Sequence, residues 1–277
     1  MSEIDAPLEA DRLGREAPVQ ASGELYRVEV KDSTTSTSDD ARALAAAGAP
    51  EGTVVFAEEQ AAGRGRRGNI WMAPPGRSLL FSLLLRPEFD PALWPRVTHL
   101  AALAVCRAIE PFVSPAIPSL KWPNDVLIDG RKVSGILLES IATDGSGSLV
   151  LGVGINVNLD QSDFPAELRS SATSLRQEAG RPIDRTDVAV RFFKEFSSLY
   201  PIALEPFDRA LEEVHQRSFL VGKSVTLNHS GRQETGRVTG FGPNGELKLV
   251  SDDAAGGTER CLSSGELVRI AESPPLL

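Results

Sequence analysis

Four clusters of residues in this sequence carry side chains that could do chemistry. The sharpest is GRGRRG, Gly63 to Gly68, which sets Arg64, Arg66 and Arg67 between the glycines Gly63, Gly65 and Gly68. Guanidinium groups present forked donors that grip phosphate or carboxylate, and the glycines give a loop able to fold over such an anion. The same residues spell G-x-G-x-x-G, a dinucleotide-binding pattern. That pattern must open a helix whose N-terminus holds the pyrophosphate. Here Pro74, Pro75 and Gly76 follow, and they do not start a helix smoothly. The plainer alternative is a solvated basic loop, which composition alone does not separate from an anion clamp.

The second cluster is LKWPNDVLIDGRKVSGILLE, Leu120 to Glu139. Pro123 biases the residue before it toward extended backbone, so Lys121 is a cation on a stiff segment beside Trp122. A charge set between a large aromatic and an apolar run calls for a partner. Asn124 and Asp125 add an amide and a carboxylate able to meet a ribose, an adenine or Mg²⁺. Lys132 follows a turn whose residues, Asp129, Gly130 and Arg131, read as ordinary surface. In the third cluster, GVGIN, Gly152 and Gly154 alternate on an apolar strand, which marks a bulge or lets something approach the backbone closely. The fourth is Ser36, Thr37 and Ser38 at a helix start, where capping uses one hydroxyl and leaves others for a polar ligand head. Other chemistry is missing. Arg217 stands where Gly222-Lys223-Ser224 would need a glycine to make a phosphate loop, and no G-x-S-x-G, HExxH or EF-hand pattern occurs.

The elements that must position these residues follow from periodicity. LYRVEV from Leu25, TVVFAEE from Thr53 and SLLFSLLLR from Ser78 read as strands. Asp39 and Asp40 suit the start of a helix that Gly48 stops. Leu93 to Glu110 repeats apolar residues at a helical period. Val126 to Ile128, Asp129-Gly130 and the run to Leu138 predict a hairpin with a primed turn. SLVLGVGINVNL is a further strand, and helices are expected over Asp187 to Tyr200 and from Phe207 to about Arg217. After Ser218 short alternating strands with turn signals suggest a small β-barrel.

Composition excludes several classes. The 277 residues are 41 % hydrophobic and 24 % charged, so the chain is neither disordered throughout nor collagenous. Two cysteines, Cys106 and Cys261, make no disulfide framework and favour a reducing, cytoplasmic setting. His99, His215 and His229 are too scattered for a zinc site. The net charge of −9 argues against bulk attraction to DNA or anionic lipid. Leu79 to Leu85, seven residues that already hold Ser82, falls far short of the roughly 20 apolar residues of a spanning helix. The acidic start has no apolar signal region and few large apolar residues, so Met1 to about Gly23 is expected to be a mobile tail.

The four clusters, in this order and spacing, resemble the biotin–protein ligase family from about Leu25 to Ile270. The matching motifs are STS with DDA after it, EEQAAGRGRRG with Trp71 after it, KWPND followed by KVSGILLE, and GVGINVN. The resemblance implies an α+β fold. A catalytic domain like class II aminoacyl-tRNA synthetases, mixed sheet with helices, would span 25–217. An SH3-like barrel would span 218–272, with a disordered tail over 1–24 and a short tail over 273–277. It implies a two-step reaction: biotin and ATP, with Mg²⁺, give biotinyl-5′-AMP, and a lysine of a biotin carboxyl carrier protein, as in acetyl-CoA carboxylase, then takes the biotin. Such a site works by positioning and charge stabilisation, with no covalent enzyme intermediate.

Carried over by motif, Ser36, Thr37, Ser38 and Gln60 would hold the ureido head of biotin. Gly63, Arg64, Gly65 and Arg66 would close over biotin, with Arg64, Arg67 and Gly68 also on the nucleotide side. Trp71 would cover biotin or stack near adenine, and Gly135, Gly152 and Gly154 would let the biotin rings approach backbone. Lys121 would touch the reacting carboxyl and phosphate oxygens and is the expected essential residue, with Arg66 beside it. Asn124, Lys132 and Asn156 would face the nucleotide. Two positions depart from the common pattern: Ser38, where many members have Asn, and Asn69, where Arg is frequent.

Some members carry an N-terminal DNA-binding domain. Residues 1–24 are too few and too acidic for one, so a monofunctional ligase without operator binding, monomer or homodimer, is expected. The rivals are a lipoate–protein ligase or octanoyltransferase, and a non-enzymatic biotin-binding protein of the same fold. A fatty chain needs no Ser36 and Gln60, and mere storage needs no Lys121 at the carboxyl.

Overall fold

The computed structural model describes residues 6–17, 26–143, 146–204, 207–229, 231–251 and 257–270. It opens on helix α1 (Ala10–Glu16), then strand β1 (Arg27–Thr34), helix α2 (Thr37–Ala46) and strand β2 (Thr53–Gln60), which pairs in parallel with β1. Two short strands, β3 (Gly63–Arg64) and β4 (Ile70–Trp71), make a hairpin of the GRGRRG segment. Strand β5 (Ser78–Leu85) precedes the long helix α3 (Pro95–Val113). Strands β6 (Ser119–Lys121), β7 (Asp125–Ile128), β8 (Arg131–Thr143) and β9 (Ser146–Asn156) complete a seven-stranded sheet in the order β1-β2-β5-β9-β8-β7-β6. Every neighbouring pair after β1 and β2 is antiparallel, so the sheet is mixed.

Strand β5 is buried at every position, as its nearly unbroken apolar run demands of a strand covered on both faces. Its alternation divides the chemistry. Phe81 points into a ring cluster with Phe56, Phe192 and Phe193, whereas Ser82 points toward α2 and the hydroxyls of Thr37 and Ser38. Phe192 and Phe193 come from α5 (Arg185–Leu199), which follows the short α4 (Leu175–Ala179) and precedes α6 (Phe207–Gln216). Asp184 caps α5 by accepting from the Thr186 backbone N–H. The Asp129-Gly130 turn has positive φ at both residues, +48° and +77°, the primed turn the sequence predicts.

The C-terminal strands β10 (Ser224–His229), β11 (Arg232–Phe241), β12 (Leu247–Val250), β13 (Glu259–Leu262) and β14 (Glu266–Ile270) form a five-stranded antiparallel sheet in the order β13-β12-β11-β10-β14. Leu220, Val225, Leu227, Val238, Leu247, Leu249 and Leu262 make its core. The largest member of that core comes from elsewhere in the chain. Trp122 is 5 % exposed, packs among these leucines and valines, and donates Nε1–H to Gly245 O at 3.2 Å.

Two expectations need correction. The disordered tail over 1–24 does not hold for residues 6–17. There Leu8, Leu13 and Ala17 bury into the main core, and α1 lies against β1 and α5. The docking is held by polar bonds. The Leu8 N–H reaches Glu58, Ala6 O accepts from Arg185, and Arg12 pairs with Asp184 and Asp187. Three well-spaced apolar residues suffice for a short helix when partners far along the chain receive them. Residues 1–5, 18–24 and 273–277 of the expected tails lie outside the described residues. The expectation that a hydroxyl caps α2 also fails. Ser36 is the N-cap residue but its side chain makes no cap bond; its backbone O receives the Asp39 and Asp40 N–H groups instead.

Candidate functional site

A cavity of about 240 Å³ opens between the β5-β9-β8 face, the β3–β4 hairpin and the edge of the C-terminal sheet, and residues of all four sequence clusters line it. Its floor is polar and buried. The Thr37 N–H donates to Gln60 Oε1 at 2.8 Å, and the Thr37 hydroxyl donates to the same oxygen at 3.1 Å. That commits the oxygen of the Gln60 amide to protein and leaves its Nε2 as the end free to donate. Gly63 does not line the cavity, but it keeps this amide in place: a Cβ there would fall 2.9 Å from Gln60 Nε2. Ser36 Oγ is buried with no partner among the described residues. Unpaired buried hydroxyls cost free energy, so the floor is built to receive a polar head.

The wall is a stripe of glycines under an indole. Gly135 and Gly154 face one another across β8 and β9, and Gly152 follows on the same face of β9. Trp71 stands over the pair, and its Nε1 is buried without an acceptor among the described residues. Gly152 lies beneath Ser38: a Cβ there would come within 3.0 Å of that hydroxyl.

The cations are not equivalent. Arg64 is held by Asp39 at 2.9 Å and Glu139 at 3.1 Å, and Arg67, with a left-handed φ of +56°, pairs with Glu266 of β14 at 3.1 Å. Arg66 has no ion pair among the described residues; it bonds only the amide oxygen of Asn124, at 3.3 Å. Burial lowers its pKa, and the neighbouring Arg67 adds to that. Lys121 is half-buried and also has no ion-pair or hydrogen-bond partner among the described residues. Lys132 pairs with Asp125 at 2.6 Å and sits 5.6 Å from the centre of the Trp71 ring. Arg66 and Lys121 are thus the cations left for an anionic ligand.

Besides Gly63, two residues singled out from sequence stand elsewhere. Gly68 does not line the cavity and serves a positive φ of +79° in the loop. Asn156 is buried outside the cavity and donates its amide to Thr173 O at 3.0 Å, so its side chain ties β9 to the segment before α4. Asn124 lines the cavity, but its amide nitrogen already donates to Ile136 O at 2.8 Å. Sequence reasoning missed Ser82, Glu139 and Glu266. Only Ser82 left a trace, as the one polar residue inside the apolar β5 run.

Among the described residues no group of three or more His, Cys, Asp or Glu gathers to hold a metal ion. Mg²⁺ carried by a nucleotide needs only one or two carboxylates beside the phosphates, and Asp125 at the cavity offers that.

Comparison with known proteins bears on the same residues. The Biotin/lipoate A/B protein ligase family matches residues 29–156. The bifunctional ligase/repressor BirA of Bacillus subtilis is 42 % identical over 190 residues, 68 % of this chain and 57 % of that protein, so the chain spans little more than half the length of that relative. A biotin–[acetyl-CoA-carboxylase] ligase of Mycobacterium tuberculosis is 32 % identical over 265 residues, 94 % of this chain and 95 % of its own. Among solved structures, the biotin protein ligase from Aquifex aeolicus in complex with biotin and ATP superposes with a TM-score of 0.75 at 30 % identity, covering 89 % of this chain and 99 % of that one.

Proposed function

The chain belongs to the biotin–protein ligase family, and from that premise we propose that it is an ATP-dependent biotin–protein ligase. The observation that carries the proposal is a single cavity lined both by a buried floor of hydroxyls and an amide and by the cations Arg66 and Lys121, which have no ion pair among the described residues. Biotin is a molecule of that shape, with a ureido head, an apolar bicycle and a carboxylate tail. In the first step a carboxylate oxygen bonds to the α-phosphorus of ATP, and pyrophosphate leaves. In the second, the amine of a carrier lysine bonds to the biotin carbonyl carbon, AMP leaves, and the amine gives up a proton. Neither step uses a nucleophile from this chain.

The residues then have distinct tasks. Ser36, Thr37, Ser38 and Gln60 bond the ureido head, and the glycine stripe with Trp71 encloses the bicycle. Lys121 stabilises the charge that grows on the carboxyl and phosphate oxygens, and Arg66 holds the adenylate. Lys132, beside Asp125, joins them on the nucleotide side. Asp125 would hold a nucleotide-borne Mg²⁺, which when bound neutralises phosphate charge. A fatty chain would leave the floor hydroxyls unpaired, which disfavours lipoate or octanoate. The catalytic region over 25–217 is of the class II synthetase kind and the C-terminal sheet is an SH3-like barrel, on the family's pattern. The free thiols of Cys106 and Cys261 suit a reducing compartment such as the cytoplasm.

Incubation with biotin, ATP, Mg²⁺ and an isolated biotin carboxyl carrier domain tests the reading. Intact-mass analysis should show one biotin added to the carrier lysine. An unmodified carrier with both substrates bound would contradict it.

A further inference from the structure

Behind the cavity floor lies a hydroxyl that no ligand can touch. Ser82 is 0 % exposed and does not line the cavity, yet its Oγ is 2.8 Å from Thr37 Oγ1 and 3.1 Å from Ser38 Oγ. One backbone group fixes every proton in this chain of bonds. The Thr37 N–H can only donate, so the end of the Gln60 amide that it meets is oxygen. The Thr37 hydroxyl must donate to that same oxygen. A hydroxyl has one proton. Thr37 therefore accepts from Ser82. Ser82, with its proton spent, accepts from Ser38. Ser38 has no proton left to give a ligand.

We infer that Ser82 is a positioning residue that sets the specificity of the site. It makes Ser38 Oγ an acceptor toward the cavity, while Gln60 Nε2 is a donor there. A cyclic urea needs that pairing, since its N–H groups donate and its carbonyl accepts. A serine hydroxyl left alone rotates freely between the two roles, so without Ser82 the floor would no longer reject heads that only accept. The inference rests on the biotin reading of the cavity.

The test compares wild type with Ser82→Ala, Ser38→Ala and the double variant. Titration uses biotin and desthiobiotin, which keeps the urea ring and lacks the sulfur ring. Ser82→Ala should weaken both compounds alike, by roughly tenfold. The biotin KM should rise with kcat at saturating biotin unchanged. Ser38→Ala should add less in the Ser82→Ala background than in wild type, because nothing there still holds the Ser38 hydroxyl as an acceptor. Ser82→Cys, close to serine in size with a weak S–H donor, is read by the same criteria and should fall between. Unchanged affinity in Ser82→Ala, losses that multiply in the double variant, or a fall in saturated kcat would each overturn the inference alone. A wild-type protein that binds neither urea would overturn the biotin reading and the inference with it.

Discussion

Trp71 rests on Gly154: a Cβ placed on that glycine would come within 2.6 Å of Trp71 Cε2. The cross-strand partner Gly135 is also tight, with its Cβ position 2.9 Å from Trp71 Cζ3. The indole therefore has its place only because two strands lack side chains at one register. Gly154→Ala should lift it and open the wall over the bicycle. We expect kcat/KM for biotin to fall by about 10²-fold, the scale of an ångström-sized misplacement. Far-UV circular dichroism should stay unchanged. An unimpaired variant would show that Trp71 does not enclose substrate.

Lys121 has no side-chain partner among the described residues, which leaves its charge to a ligand. Lys121→Ala should slow biotinyl-AMP formation by about 10²–10³-fold, the range for loss of one charge-stabilising donor, with little change in melting temperature. Single-turnover kinetics with wild-type-like rates would remove its role.

Among the described residues Arg66 is held only through Asn124, whereas Arg64 and Arg67 are spent on carboxylates. Arg66→Gly should release biotinyl-AMP roughly tenfold faster or more, as expected for a lost charged hydrogen bond. Escaped adenylate should then biotinylate lysines on unrelated proteins. An unchanged off-rate would count against the assignment.

Trp122 joins the KWPND segment to the core of the C-terminal sheet. Trp122→Ala should cost about 3–5 kcal/mol of stability, the range for a large buried aromatic. Urea denaturation should show the loss as a lower midpoint. A loss under about 1 kcal/mol would mean that the contact is dispensable.

His99 adds a pH dependence at the same junction. Burial pushes its imidazole down to about 4 from 6.5, although a hydrogen bond with the Gly245 backbone and the nearby Glu246 oppose the shift. The folded protein holds this group neutral while the unfolded chain protonates it near 6.5. Between pH 6.5 and 4 the unfolded state binds more protons, so this contribution is complete above 6.5 and is lost on acidification toward 4. Melting temperature should fall across that window. His99→Asn should flatten the slope; an equal slope in the variant would assign it to other groups.

Much of the site was legible because its signals are local. The apolar run from Leu79 to Leu85, broken only by Ser82, predicts strand β5, and Asp129-Gly130 predicts the turn between β7 and β8. Helix α4 was not predicted: its Ser174 cap and left-handed Gly180 flank only five helical residues, too few to leave a periodicity. What stayed hidden depends on distant partners. Arg67 meets Glu266 across 199 positions, and no pattern in either segment announces it. The docking of α1 needs Glu58 and Arg185. Asn156 looks like a ligand group in sequence because a strand-end amide reads the same whether it faces a nucleotide or Thr173 O.

The central claim is that the cations and the polar floor serve one acyl-adenylation. Biotin-dependent exchange of labelled pyrophosphate into ATP measures that step alone, with lipoate and octanoate run beside it. Exchange with biotin and with neither fatty acid is the result predicted. Exchange with lipoate or octanoate, or none with biotin in a folded protein that binds it, would contradict the account.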